Sequence, residues 1–258
     1  MPIDVIIFGN VPLASWVVGE VVKSTCFNLV GVVADACEKD QYSHHGSVLP
    51  PAYHYCHEFG LPIISFGKAE SIAEQQAILG ISVRYNRIFK RDYFSKFTPG
   101  IVNLHGGELP RYRGSNIANY VVLNGEKRTG GTIHFISDGI DEGDVAVRRL
   151  GSLTSSETAY SVFQKTIELL KASFTELVET VESQGEVPRT PQQWFINNGE
   201  DACTYRSSGL SAAREVTESD LSNENFGRKV RAFHFPGHPP AFILLDEVRV
   251  ILVPEVVL

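Results

Sequence analysis

The run Val5-Ile6-Ile7-Phe8, closed at once by Gly9-Asn10, constrains this chain more than any other feature. Four successive apolar residues without alternation bury both faces of a strand, which happens inside a parallel sheet covered by helices on either side. Residues 13–23 then read as a helix, with Trp16, Val17, Glu20 and Val21 at helical spacing. Residues 29–33 make a second strand, Ile63-Ile64 mark a third, 81–88 a fourth and 101–104 a fifth. Strands alternating with helical segments predict βαβ units, hence an α/β class with a Rossmann-like, mostly parallel sheet core.

Beyond residue 130 the pattern changes. Alternation over 132–136 and a run at 145–150, separated by a glycine-containing loop, predict a hairpin or an antiparallel addition to the sheet. A long amphipathic helix is expected over 154–182, with Tyr160, Phe163, Ile167, Leu170, Phe174 and Val178 on one stripe and Thr154 or Ser155 as its cap. Pro188, Pro191 and Gly199 break the next stretch, which reads as a linker or draped segment. Residues 220–233 are helical at least in part, and 241–245 with 248–253 read as strands joined by Asp246-Glu247. The expected organisation is therefore a core domain over 1–185, a linker over 186–208 and a small C-terminal α+β annex, a hairpin, over 209–258.

Composition narrows the partners. A net charge of −7 over 258 residues disfavours nucleic acid as the main partner, because phosphate contacts need a basic face. No apolar run approaches the roughly 18–20 residues that span a bilayer. The N-terminus lacks a basic segment before its apolar run, so no signal peptide is expected. Cys26, Cys37, Cys56 and Cys203 show no paired spacing, which predicts reduced thiols in the cytoplasm and no metal. His54 and His57 have no second ligand cluster beside them, and His44-His45 lie in a Gly/Ser/Pro-rich loop that reads as solvated. Gly9 follows a strand without the full G-x-G-x-x-G, so a nicotinamide site is not expected.

The chemistry concentrates in residues 101–115, Ile-Val-Asn-Leu-His-Gly-Gly-Glu-Leu-Pro-Arg-Tyr-Arg-Gly-Ser. Asn103 and His105 stand two apart at the end of an apolar strand, so their side chains share one side. They lie at the carboxyl edge of a parallel sheet, where open α/β folds bind ligands. An amide donor beside a group that titrates near neutrality suits attack at a carbonyl carbon, where oxyanion charge develops and a proton must move. The loop Ser137-Asp-Gly-Ile-Asp-Glu-Gly-Asp-Val145 offers carboxylates to the histidine. A carboxylate there favours the charged imidazole. Spacing alone leaves Asp138, Asp141 and Asp144 equally available.

These segments resemble the folate-dependent formyltransferases: Asn103-Leu-His105, Leu109-Pro-Arg-Tyr-Arg-Gly114, Asn124-Gly-Glu, Thr129-Gly and Ile140-Asp-Glu-Gly-Asp144. The resemblance runs over about 1–150 and returns at Val230-Arg-Ala-Phe233 through Ala241. It implies Asn103, His105 and Asp141 as catalytic residues, N10-formyltetrahydrofolate as co-substrate, and no metal. It further implies a pterin held by backbone around Arg84, Tyr85, Ile88 and Phe89 and by the Asp138-Gly139 loop.

Within that family, Gly106-Gly-Glu-Leu-Pro110 and Gly114-Ser-Asn-Ile117 look most like the nucleotide-sugar N-formyltransferases, whose dTDP- or GDP-linked amino-dideoxy sugars feed O-antigen and other surface glycans. On that reading Asn10, Arg87 and Phe233 are candidate acceptor contacts, and Phe233, Phe235 and Phe242 a candidate stack for a nucleobase. A homodimer is expected, with no nucleic-acid or membrane partner. The alternatives are a methionyl-tRNA formyltransferase, disfavoured by the short annex and acidic charge, and a formyltetrahydrofolate hydrolase.

Overall fold

The run 5–8 forms an inner strand of a six-stranded sheet, with a strand on either side, in a computed structural model that describes residues 1–223 and 225–255. Strand β1 (Ile3–Phe8) sends Val5 and Ile7 into one apolar cluster and Ile6 and Phe8 into another. All four are 0% exposed, so each face of the strand is covered. A single fully buried side chain of this size contributes about 1.5–3 kcal/mol. The first cluster lies under α1 (Pro12–Lys23) and includes Val17 and Val18.

Chain order continues with β2 (Phe27–Val33), α2 (Ala52–Glu58), α3 (Phe66–Ala73), β3 (Leu79–Val83), α4 (Arg91–Phe94) and β4 (Gly100–His105). Strands β2, β1, β3 and β4 are parallel neighbours in that order. Two short elements follow, β5 (Arg113–Gly114) and α5 (Ile117–Leu123). Then β6 (Arg128–Phe135) and β7 (Val145–Ser152) add antiparallel to the edge, β6 on β4 and β7 on β6. Helix α6 (Ala159–Gln184) packs on β6 and β7, placing Leu170, Phe174 and Leu177 in the first cluster. The fold is thus the expected mixed α/β core with a mostly parallel sheet, and the antiparallel pair is its edge.

Several expectations are corrected. Ile63 makes only an isolated bridge to Val32 and no third strand forms, because Ser65 starts α3 directly, its side chain accepting from the Lys68 amide. The strand expected over 81–88 ends at Val83, where Arg84 takes φ +51° and turns the chain off the sheet edge. The long helix begins at Ala159 rather than 154. Its cap is Thr158, whose hydroxyl accepts from the Ser161 amide while Ser161 Oγ accepts from the Thr158 amide. Thr154 and Ser155 lie in the turn before it.

Residues 186–208 do not run free. Thr190 bridges Val145, α7 (Gln192–Asn197) follows, and β8 (Thr204–Tyr205) pairs in parallel with β5. The annex holds α8 (Leu210–Ala213), α9 (Glu218–Leu221), α10 (Asn225–Ala232) and the antiparallel pair β9 (Ala241–Leu245) and β10 (Val248–Leu252). Asp246 and Glu247 both take positive φ, 46° and 65°, as a two-residue hairpin turn that follows the strand twist requires. Leu210, Val216, Phe233 and Ile243 share one buried cluster with Ile117, Val121 and Val162, so annex and α5 form one packed wall. Among the described residues no helix is long and apolar enough to cross a membrane, and no group of three His, Cys, Asp or Glu is placed to hold a metal.

Candidate active site

Asn103 and His105 end β4, on the same side of the strand as Ile101 and opposite to Val102 and Leu104. The antiparallel register sets Asn103 beside His134 and His105 beside Thr132 of β6. His134 therefore joins the polar group through strand pairing. The sequence signal for it is the alternation Thr132-Ile-His134-Phe, which puts Thr132 and His134 on one face.

The loop 137–144 then brings up a carboxylate. Asp141, at φ +53°, sets Oδ2 3.5 Å from His105 Nδ1 and Oδ1 3.3 Å from His134 Nε2. Gly114 N donates to Asp141 Oδ2 at 2.8 Å. The other two aspartates of the loop face elsewhere. Asp138 pairs with Arg91, its Oδ1 accepting from Nε at 2.9 Å, and Asp144 lies 3.8 Å from Arg189. Geometry thus separates the three carboxylates that spacing could not. Gly143 makes the loop possible, since a Cβ there would sit 1.9 Å from the Phe135 carbonyl oxygen.

Both imidazoles are oriented by backbone. His105 Nε2 donates to the Tyr112 carbonyl at 2.6 Å, leaving Nδ1 toward Asp141. Gly107 permits this approach, because a Cβ there would meet the same Tyr112 oxygen at 2.5 Å and His105 Nε2 at 2.6 Å. His134 Nδ1 donates to the Phe135 carbonyl at 2.9 Å, and Asn103 Nδ2 lies 3.3 Å from Nε2, the nitrogen that also faces Asp141. Burial is the largest influence on His105 and holds its pKa below the ordinary value, against the pull of Asp141. Burial alone pushes Asp141 upward. The hydrogen bond and charge of His134, the charge of His105 and the Gly114 amide overcome it and hold the carboxyl well below its usual range. The group is therefore a carboxylate set between two histidines, with one amide alongside.

It opens into a cavity of about 600 Å³. Arg84 and Tyr85 form the wall at the end of β3, Phe163 and Thr166 that of α6, and Arg214, Phe233 and Phe235 that of the annex. Tyr85 Oη and Thr166 Oγ1 are buried without a hydrogen-bond partner, as is Arg214 Nε. His45 packs against Phe163 at 5.2 Å between ring centroids, and His44 lies 6.4 Å from Phe235 and 6.0 Å from His238. The loop that reads as solvated is instead seated against α6 and the annex.

Several expected contacts lie outside this cavity. Phe89 is a core residue in the ring cluster around Phe8, 5.1 Å away, and Ile88 is 90% exposed. Asp138 is spent on Arg91, and Gly139 lies where a Cβ would strike Glu142 Oε2 at 2.2 Å. Asn10 uses its side chain on backbone, donating to the Asp35 carbonyl at 2.6 Å and accepting from the Tyr53 amide at 2.9 Å. Arg87 lies over the Phe66 ring at 5.3 Å, and Phe242 belongs to the annex core beneath Arg214 and Arg249. Arg214, Thr166 and Gln192, which the sequence did not single out, reach the site through long-range packing that no local pattern announces.

The formyl transferase family model matches residues 67–178, which span β4, the 137–144 loop and most of α6. This segment is a formyl transferase domain. The chain is 32% identical over 173 residues to the methionyl-tRNA formyltransferase of Fervidobacterium nodosum, covering 64% of this chain and 53% of that protein. It is 28% identical over 176 residues to the GDP-perosamine N-formyltransferase of Brucella melitensis, covering 68% and 64%. The chain thus spans between about half and two thirds of the curated relatives it matches. Its fold is shared with the N-formyltransferase from Helicobacter canadensis, solved in complex with folinic acid and dTDP-3-aminofucose, at a TM-score of 0.74 and 17% identity over 97% of this chain and 87% of that one.

Proposed function

We propose that this chain transfers a formyl group from N10-formyltetrahydrofolate to the amine of a nucleotide-linked amino-dideoxy sugar, dTDP- or GDP-linked, for surface glycan assembly in the cytoplasm. The observation that carries the chemistry is the Asp141 carboxylate set between His105 and His134 with Asn103 beside them, opening into a cavity of about 600 Å³. The residues fit a folate head. The backbone turn at 84–85 and Asp141 line the cavity, and the unpartnered Tyr85 and Thr166 hydroxyls suit a polar heterocycle or its formamide.

In this reading the neutral amine attacks the formyl carbon, and the new carbon–nitrogen bond pushes charge onto the formyl oxygen. Asn103 Nδ2 donates to that oxyanion, and His105, which burial keeps neutral at rest, stabilises it by charge once it has taken the amine's proton. Asp141 stays ionised, favours the imidazolium by its charge and so helps the amine's proton pass through His105 to the departing folate nitrogen as the old carbon–nitrogen bond breaks. His134 and the Gly114 amide keep the carboxylate in place meanwhile.

The acceptor reading is supported by the annex wall. Arg214 offers a guanidinium for a diphosphate, and Phe233 with Phe235 offers rings beside it. The GDP-perosamine enzyme and the dTDP-3-aminofucose complex among the similar proteins add to this support. Methionyl-tRNA is the second reading, favoured by the Fervidobacterium relative. Incubation with formyltetrahydrofolate and a panel of dTDP-, GDP- and UDP-linked amino sugars, followed by mass spectrometry, separates these. One formyl group gained by a sugar is expected. Formylation of methionyl-tRNA alone, or formate release that needs no amine, rejects the proposal.

The hairpin supports a homodimer. Leu245, Val248 and Val250, on one face of the pair, expose 54%, 62% and 39% of their surfaces, an apolar ribbon suited to a second copy.

A further inference from the structure

Gln192 opens α7, beyond the residues that the family model matches and within the stretch that reads as a linker. Its side chain is 4% exposed, and its amide is fully used. Nε2 donates to the Asp141 carbonyl at 2.7 Å and to the Gly143 carbonyl at 2.8 Å. Oε1 accepts from Arg113 Nε at 3.0 Å and from Nη2 at 2.9 Å. Arg113 also reaches Glu142, with Nη1 donating to Oε1 at 3.2 Å. One amide thus clasps the two carbonyls on either side of Glu142 and ties them to the strand whose next residue, Gly114, donates to the Asp141 carboxylate.

The clasped turn needs holding. Asp141 sits at φ +53°, a conformation that a non-glycine residue keeps only when its surroundings over-determine it. Without Gln192 the two carbonyls lose their donors in a buried place, and the turn relaxes toward commoner backbone. Its side chain would then leave a position fixed by contacts of 3.3 and 3.5 Å to two imidazoles.

We propose that Gln192 is a positioning residue for the formyl-transfer reaction, acting through Asp141 by fixing the backbone that aims its carboxylate between His105 and His134. The inference rests on the role proposed for Asp141. It also accounts for residues 186–205 being fastened to the core, through the Thr190 bridge on one side of Gln192 and the β5–β8 pair on the other. The chemistry is specific to an amide. A carboxylate of the same shape would turn lone pairs toward two carbonyl oxygens, and a thioether of similar length would leave all four partners unsatisfied.

The test compares Gln192→Met and Gln192→Glu in the full chain, alone and with Asp141→Asn. Each single variant is expected to lower kcat about 10- to 100-fold, the size of effect that misplacement by an ångström produces, with KM for donor and acceptor within about threefold. In the Asp141→Asn background, Gln192→Met should change kcat by less than about twofold, because the group it positions is already disabled. An equal loss in both backgrounds, or a Gln192→Met enzyme within about threefold of the parent, overturns the inference. Should the Gln192 variants fail to fold, Arg113→Met releases the amide oxygen together with Glu142, leaves both Nε2 bonds in place, and must show the same dependence on Asp141. If Asp141→Asn itself keeps full kcat, the reading beneath the inference falls with it. If Asp141→Asn is impaired and Gln192→Met is not, the inference alone falls.

Discussion

On the sheet side of the cleft the polar groups hold one another: Asn103 lies against His134, Gly114 donates to Asp141, His105 to Tyr112 and Gln192 to the turn beneath Asp141. On the opposite side Thr166 Oγ1 and Arg214 Nε are buried with no partner, as is Tyr85 Oη beyond the end of β3. Burying a polar atom unpaired costs free energy, so a site that leaves such atoms facing a cavity is completed by what enters it. The difference separates two tasks. The sheet wall is preorganised for proton movement and oxyanion charge, whereas the helix and annex wall is arranged for recognition.

If that division is right, substitutions on the two walls fail in different ways. The largest effect is expected for His105→Ala, about 10²–10⁴ in kcat, followed by Asn103→Ala at about 10²–10³, with small changes in KM in steady-state assays. Near-normal turnover of His105→Ala would erase the distinction. Arg214→Ala should do the reverse, raising KM for the acceptor about tenfold or more while kcat stays within about threefold, as loss of one charge-assisted hydrogen bond implies. A loss in kcat alone would move Arg214 to the other wall.

The smallest expected effect is on stability against pH. Asp141 is held below its ordinary pKa in the folded protein, so the unfolded chain binds the proton first. Its contribution is full above about pH 4 and fades as pH falls below that. His105 and His45 are bases held down, His45 to about 3, chiefly by burial. They keep the fold stable above about pH 6.5 and withdraw that support as pH drops. Thermal melting across pH should therefore show two acid-side losses. Asp141→Asn should shrink the lower one, to which Asp220, Glu157 and Glu200 also contribute, and deepen the upper, because His105 loses the charge that favours its protonation; a curve unchanged by that substitution would contradict the burial and pairing described.

Legibility in the sequence follows the same division. Asn103 and His105 were readable because strand periodicity and the sheet-edge rule are local. The inner strand at 5–8 was readable because four unbroken apolar residues before a Gly-Asn turn suit a strand covered on both faces. Asp141 needed more than spacing, since Asp138 and Asp144 differ from it only in what the folded loop turns them toward. His134 was half visible, as one term of an alternation whose partner strand was unknown. Gln192 and Arg214 were invisible, because each reaches its place through contacts with residues far along the chain. Asn10 shows the opposite error. A small polar residue at a strand–helix turn satisfies nearby backbone before it is free for a ligand.

The pairing of Arg113–Gly114 with Thr204–Tyr205 bears on how this chain can be recombined with others. A graft that exchanges the annex at residue 185, the end suggested by the long helix, would carry away Gln192 and half of that pair. A chimaera meant to keep the acid–base group while changing the acceptor wall should cross over after Tyr205, where the chain has finished with the first task and has not begun the second.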